Sequence, residues 1–185
     1  MKKKLLAMPL FVLVAVCVAL VTGCSTGPTA EEAIRSDISS QLDRISADNE
    51  DFMKGLEKGS GDDLKQLGLD STEYAKAYLD GFDYKIGDIT VNEDKGKATA
   101  EVTVTCKSMS DIVSEFTAKY VSEAATLATS TEEEATKRAG ELLMETTENA
   151  KAGDHELTFS YKQTDDGWVA SDGASDQVVS AMLQS

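Results

Sequence analysis

The sequence predicts an α+β protein whose helices pack on a curved antiparallel sheet of about four strands. Apolar and polar residues alternate through residues 82–106 and again through 156–170, the pattern of two β-hairpins. Segments with apolar residues at every third or fourth position flank and separate these hairpins, as in amphipathic helices. This grouping favours an antiparallel sheet, with a helical insertion between the two hairpins and a C-terminal helix.

A long helix is predicted at the start of the folded part. Thr29 and Glu32 have the spacing of a capping box, and an apolar stripe begins at Ile34 and continues to about residue 58. This pattern predicts one helix with a bend, and we expect Gly59-Ser60-Gly61 to end it. The remaining helices predicted before the first hairpin span residues 62–67 and about 71–80.

The first hairpin contains a predicted bulge. Tyr84 and Ile86 belong to one apolar alternation, whereas Ile89 and Val91 lie one position out of phase beside Gly87. A shift of one residue in a strand is typical of a β-bulge, which bends the strand. The partner strand is predicted from its inward residues Ala98, Ala100, Val102, Val104 and Cys106.

The same kinds of pattern predict the elements of the insertion and of the C-terminal part. One insertion helix has an apolar stripe of Val113, Phe116, Tyr120, Ala124 and Leu127, and the next is predicted to begin with a Ser130–Glu133 capping box and to be exposed. The second hairpin has Leu157, Phe159 and Tyr161 on one face, a turn over 164–167 and Trp168 beyond it. Ser175 is predicted to cap the last helix.

The N-terminus has the three regions of an export signal: Lys2 to Lys4, an apolar run over 5–21, and a small-residue exit. Val21-Thr22-Gly23-Cys24 resembles the lipobox of bacterial lipoproteins. The resemblance implies cleavage after residue 23 and a diacylglyceryl group on Cys24, so that acyl chains such as palmitate hold the protein at the extracytoplasmic face of the cell membrane. The predicted organisation is a signal peptide (1–23), a lipidated tether (24–29) and a single α+β domain (30–185).

The amino-acid composition limits which classes of partner this protein can bind. The three signal lysines are the only charged residues before Cys24, so cleavage takes the net charge from −15 to −18. Such an acidic chain repels phosphate backbones, and we expect no nucleic-acid binding. We also expect no cofactor and no metal site, because His155 is the only histidine and the acidic pairs fall at turns and helix starts. Cys106 is predicted to be a small buried hydrophobe.

The long first helix on a bulged sheet, closed by Asp166-Gly167-Trp168-Val169, resembles the nuclear transport factor two-like (cystatin-like) fold. That resemblance implies a cone-shaped domain whose open end binds small apolar ligands. The candidate lining consists of Tyr74, Tyr78, Tyr84, Phe116, Tyr120, Tyr161 and Trp168, with ordinary core packing as the alternative.

Three functions stay open at this point. The favoured one is a non-catalytic binding or interaction module for a small apolar ligand or an envelope protein. A second is a small enzyme with a His155–carboxylate site inside a cavity, which needs His155 to point inward beside an acid. A third is a structural envelope lipoprotein without a pocket.

Overall fold

The computed structural model describes residues 28–171 and 173–183, so the export signal and Cys24 lie outside the described residues. Four helices precede the sheet: α1 (Ala30–Leu42), α2 (Glu50–Leu56), α3 (Asp62–Gln66) and α4 (Ser71–Leu79). The strands are β1 (Asp83–Asn92), β2 (Lys97–Lys107), β3 (Ala152–Thr164) and β4 (Gly167–Ala170). The insertion consists of α5 (Met109–Ser122), α6 (Ala124–Leu127) and α7 (Glu132–Asn149), and α8 (Ala174–Leu183) follows the sheet.

The four strands form one antiparallel sheet in the order β1-β2-β3-β4, which confirms the predicted fold class. The register of β1 against β2 shifts between Ile86 and Ile89, where the sequence predicts the bulge. A short 3₁₀ turn over Glu93–Lys95 joins these strands, and Gly96 follows it at a φ of 58°. Glycine reaches this left-handed conformation without steric cost, which suits it to the tight connection.

The two faces of the sheet differ in chemistry. Ile34 and Ile38 of α1 and Val178 of α8 are buried against the inward residues of the strands and form the core. The alternate residues point the other way, and Thr99, Glu101 and Thr158 are exposed. The helices therefore cover one face, and a polar face is left open.

The helical region before the sheet differs from the prediction in two places. The first helix stops at Leu42 and resumes at Glu50, where the Asn49 side chain accepts a hydrogen bond from the Phe52 amide at 2.9 Å. The prediction that the glycines at 59–61 end a helix is wrong, because Glu57–Gly61 form a π-helical turn that runs into α3. Gly61 is buried near Ser71, so tertiary contacts hold glycines that would end an isolated helix.

The insertion also departs from the prediction. The capping box of α7 is formed by Thr131 and Glu134, one residue later than expected. The helix is not exposed throughout, since Thr146 and Thr147 are fully buried and their hydroxyls donate to backbone carbonyls of the preceding turn. Such bonds remove the cost of burying a hydroxyl, so threonine can serve as a core residue here. Helix α8 begins at Ala174, one residue before the predicted cap Ser175.

One glycine sets how closely α7 approaches the loop after α3. A Cβ added to Gly140 would lie within 2.0 Å of the Leu67 carbonyl oxygen, a separation that real atoms do not tolerate. Any side chain at residue 140 would therefore push α7 away from this loop.

A buried lysine joins the insertion to the sheet. Lys107 ends β2, and its side chain is 3% exposed. Its ammonium donates to the Ala77 carbonyl at 2.8 Å and to the Thr147 carbonyl at 2.9 Å, in the last turns of α4 and α7. Carbonyls there have no partner within their helix and carry the negative end of the helix dipole, so a cation between them satisfies both.

We expect Lys107→Met to lower the free energy of unfolding by about 2–4 kcal/mol, because two buried carbonyls lose a charged donor. Lys97→Met on the same strand is the control, since Lys97 is exposed, and should change stability by about 0.5 kcal/mol or less. Urea unfolding followed by circular dichroism measures both. Equal effects of the two substitutions would show that the buried ammonium is dispensable.

Two glycine-to-alanine substitutions should act in opposite directions. Alanine is the better helix former, so Gly55→Ala in α2, where an added Cβ meets nothing within 4 Å, should stabilise by up to about 1 kcal/mol. Gly140→Ala should instead destabilise by about 1–3 kcal/mol, because the Leu67 carbonyl occupies the space. Thermal unfolding of both variants tests this, and a stabilised Gly140→Ala protein would disprove the close approach.

Candidate functional site

The predicted aromatic set is dispersed over the described domain. Tyr74 and Tyr78 stack on α4, with ring centroids 6.5 Å apart and planes within 4° of parallel. The Tyr78 hydroxyl donates to the Met182 carbonyl at 2.8 Å, and the Tyr74 hydroxyl contacts the Met109 sulfur at 3.8 Å. Burial raises the pKa of both hydroxyls. The two stacked rings therefore pack between the backbone of α4 and the elements that contact this helix.

Two further tyrosines donate hydrogen bonds to carboxylates near α1, one within the helix and one on the residue that follows it. The Tyr161 hydroxyl donates to Asp37 Oδ2 at 2.8 Å, and the same oxygen accepts from the Gln41 amide at 2.7 Å. The Tyr84 hydroxyl donates to Asp43 Oδ1 at 2.7 Å on the other side of the helix. Burial and the Asp37 charge raise the pKa of Tyr161. These hydroxyls fix α1 on the sheet.

The rest of the set lies elsewhere. Phe116 and Tyr120 pack against each other on α5 at 5.8 Å between ring centroids, and both are half-buried. Trp168 is half-buried on β4 and borders the core. Ring contacts thus join Tyr74 with Tyr78 and Phe116 with Tyr120, and Tyr161 is the member of the predicted set that lines the groove described next.

A small groove lies between α1, β3 and α8. The volume open to the centre of a water molecule is about 20 Å³, enough for about one water. The lining is mostly apolar, with Gln41 and Ser175 as its polar members; the other residues are Ile38, Leu42, Ile45, Phe159, Tyr161, Ala174 and Val178. In this conformation the groove can accept the tip of a side chain, but it is smaller than a small-molecule site.

His155 lies on the helix-facing side of the sheet. It pairs with the buried Val104 across the β2–β3 ladder and is itself half-buried. Successive strand residues point to opposite faces, so Asp154 and Glu156 point to the open face. Asp154 accepts a hydrogen bond there from the Thr105 hydroxyl at 2.7 Å. The carboxylates adjacent in sequence are therefore not partners of the imidazole.

The described residues contain neither a metal-ligand cluster nor a membrane span. No group of three or more His, Cys, Asp or Glu side chains within them could hold a metal ion. None of the helices over 28–171 and 173–183 combines the length and apolar character that crossing a bilayer requires. Cys106 is a buried free thiol whose pKa is raised by burial.

The surface that the sequence analysis missed is on α5. Val113 was assigned to a covered apolar stripe, but its side chain is 48% exposed, and Val121 is 65% exposed. The fully buried residue of this helix is Ile112. A signal was present in the sequence, since the charged residues Glu115, Lys119 and Glu123 recur every four positions and mark a single side of the helix.

The buried tyrosines predict a loss of stability in alkali. The pKa of Tyr78 and Tyr161 is raised from an ordinary value of 10, so the folded protein keeps protons that the unfolded chain releases. Their stabilising contribution is complete below about pH 10 and decreases as the pH rises further. Urea unfolding between about pH 7 and 11.5 should show this decrease, and Tyr161→Phe should reduce it.

The matched control is Tyr84→Phe, because the Tyr84 hydroxyl bonds Asp43 at the exposed surface. Partial burial and the hydrogen bond to Asp43 also raise the pKa of Tyr84, so this variant should reduce the alkaline decrease, but less than Tyr161→Phe does. If Tyr161→Phe and the parent lose stability equally above about pH 10, burial of the Tyr161 hydroxyl is not responsible.

Comparison with known proteins gives one distant structural likeness. No family model matches the sequence, and no curated protein is significantly similar to it. Among solved structures, a "putative lipoprotein (ycdA)" from Bacillus subtilis is similar at 18% identity and a TM-score of 0.49. The match covers 87% of this chain and 62% of that protein, so this chain spans about three fifths of its length.

Proposed function

We propose that the protein is a membrane-anchored extracytoplasmic lipoprotein whose domain is a non-catalytic interaction module. The anchor is assigned to Cys24, and the binding is assigned to the surface of the domain. The observation that carries the interaction half is the exposed apolar side of α5, where Val113 and Val121 are 48% and 65% exposed. A contiguous exposed apolar patch is a feature of protein contact sites, and these two valines lie about two turns apart on one side of α5.

The anchor rests on the order of signals at the N-terminus. A basic start, an apolar run and Val21-Thr22-Gly23-Cys24 stand directly before the folded part. Helix α1 is fixed from its first residue, because the Thr29 amide donates to the Glu32 carboxylate at 2.7 Å and the Thr29 hydroxyl accepts from the Glu32 amide at 3.2 Å. Four residues, 25–28, therefore separate Cys24 from the first hydrogen-bonded residue, and a chain of this length spans at most about 13–14 Å.

Two features of the domain interior favour binding at the surface over binding in a cavity. The hydroxyls of Tyr78, Tyr84 and Tyr161 have partners within the domain, and the groove beside Tyr161 holds about one water. The resemblance to nuclear transport factor two-like proteins belongs to this proposal. It is supported by α1 lying on a sheet that is bulged in β1. Ligand uptake into an open cone is replaced here by contact at the helical surface.

The anchor is tested by Cys24→Ala in the full chain. Diacylglyceryl transfer needs the thiol, so we expect the variant to lose incorporation of an alkyne-labelled palmitate. In lipoproteins of this kind cleavage follows lipidation, so the variant should also keep residues 1–23 and migrate as the larger precursor. Metabolic labelling and immunoblotting of whole cells measure both.

Cys106→Ala is the matched control, because Cys106 is a buried thiol of β2 and should not affect lipidation. A Cys24→Ala protein that still incorporates the labelled palmitate would disprove the lipid anchor. Native mass spectrometry of gently purified protein tests the interaction half separately. A bound small molecule of defined mass would contradict surface binding and favour a ligand cavity.

A further inference from the structure

Strand β3 is longer than the strand that pairs with it on its outer side. It pairs with β2 from residue 152 to 162, but with β4 only from residue 161 to 164. Residues 152–160 therefore form an edge of the sheet. An edge strand presents a row of amide and carbonyl groups that another strand can bind.

The register shows which backbone groups of β3 face outward. The Gln163 amide donates to the Gly96 carbonyl at 2.9 Å, so Lys97 and Lys162 are a cross-strand pair without mutual hydrogen bonds. Such pairs recur at every second residue, and their amides and carbonyls point away from the partner strand. The outward residues at this edge are therefore Asp154, Glu156, Thr158 and Ser160.

Helix α8 already occupies one position of this edge with a side-chain amide. Gln177 Oε1 accepts from the Thr158 amide at 3.2 Å, and Gln177 Nε2 donates to the Thr158 carbonyl at 3.0 Å. One side-chain amide thus supplies both hydrogen bonds that a residue of an added strand would supply. Beside it, the Ser160 carbonyl accepts from the Ser171 amide at 2.7 Å. The edge therefore has the geometry to pair with amide groups.

Asp154 and Glu156 continue this edge past Thr158. Among residues 28–171 and 173–183, no group hydrogen-bonds to their outward amides and carbonyls. Both residues are exposed, and the register of β3 against β2 runs without a shift from residue 152 to 162. These backbone groups are therefore accessible to an incoming strand.

The opposite edge of the sheet, on β1, is less suited to pairing. The register of β1 shifts between Ile86 and Ile89, and the Arg35 guanidinium donates to the Ile86 and Gly87 carbonyls at 3.2 and 3.3 Å. A bulge and a charged side chain at an edge both hinder the addition of another strand. The uninterrupted edge is therefore that of β3.

The charges beside the β3 edge are negative and uncompensated. The ion pairs formed within the described part of the chain include neither Asp154 nor Glu156. Asp154 accepts a hydrogen bond from the neutral Thr105 hydroxyl at 2.7 Å, which leaves its charge in place. In the row of Glu156 the lysine is Lys85, two strands away, and Lys151 precedes the strand.

This charge indicates the chemistry of the partner. A strand laid antiparallel on the edge places alternate side chains beside Asp154 and Glu156, at a Cβ separation of about 5 Å. Lysine or arginine at these positions is attracted by both carboxylates. A second copy would instead bring the same carboxylates and a net charge of −15 against this edge. Charge complementarity therefore favours a basic segment of another protein.

We propose that Asp154–Thr158 of β3 binds an extended basic segment of a partner protein, which lies in line with β4 as an added antiparallel strand. Backbone hydrogen bonds position the segment, and its basic side chains contact Asp154 and Glu156. The Gln177 amide competes with the segment for Thr158. The site uses neither the valines of α5 nor the lipid, so the inference goes beyond the proposed function and can fail independently of it.

The test measures binding of a synthetic peptide that alternates lysine with threonine. The full lipidated protein is held in micelles of an uncharged detergent, and fluorescence anisotropy of the labelled peptide gives the dissociation constant. A control peptide carries N-methyl groups on its lysine amides, which keeps the charge but removes the donors that face β3. We expect the control to bind about tenfold more weakly or worse, because several backbone hydrogen bonds are lost.

Substitutions on the edge should act in opposite directions. Glu156→Pro removes an outward amide, which an edge strand tolerates, and should weaken binding about tenfold. Glu156→Gln keeps the amide and should weaken it by about two- to threefold. Gln177→Ala frees Thr158 and should strengthen binding by about threefold or more. Glu133→Gln makes the same charge change at an exposed position of α7 and should have no effect.

The outcomes decide between strand pairing and general attraction to an acidic protein. An N-methylated peptide that binds as tightly as its parent would overturn strand pairing without any change to the chain. Equal losses for Glu133→Gln and Glu156→Gln would show unspecific charge attraction and would also overturn it. Gln177→Ala that fails to strengthen binding would contradict the competition for Thr158. Circular dichroism of each variant verifies folding.

Discussion

The ammonium of Lys107 is the point at which the helical insertion is attached to the sheet. It lies at the end of a central strand and donates to last-turn carbonyls of both α4 and α7. Helix α5 begins two residues after it. The C-terminal ends of two helix dipoles would repel if they met without a cation, so this one side chain allows them to converge. The placement of three helices relative to the sheet therefore depends on a single buried charge.

A second constraint acts at the middle of α7. The helix lies so close to the Leu67 carbonyl that only glycine fits at residue 140, while its C-terminal turn is bonded to Lys107. A helix held at two separated points has little freedom to tilt. Because Lys119 of α5 and the adjacent Glu123 are ion-paired to α7, α7 sets which side of α5 is exposed. The fold thus presents this apolar surface in a fixed direction, which lowers the ordering cost of binding a partner.

The sheet could be predicted from the sequence, whereas the contacts around it could not. Strand alternation is local, so both hairpins and the shift between Ile86 and Ile89 follow from residue order alone. The role of Lys107 does not, because a strand pattern cannot show that two helix ends will enclose its last residue. Gly59-Ser60-Gly61 was misassigned for the same reason, since a local rule cannot include the neighbours that stabilise a π-helical turn. For the candidate site, the grouping of the aromatic residues depends on packing, and two ring contacts formed within the set.

Apolar periodicity alone also could not predict which side of α5 would be covered by the rest of the domain. An apolar stripe predicts burial only if the neighbouring helix is apolar, and α7 instead presents Arg138 and Glu145 to α5. The ion pairs on this side are partly exposed and each contributes little to stability. Their larger effect is directional, because they orient α5 with its charges inward and leave Val113 and Val121 facing out. Lys119 of α5 and the adjacent Glu123 therefore attach this region to α7, and the same two contacts turn Val113 and Val121 toward solvent.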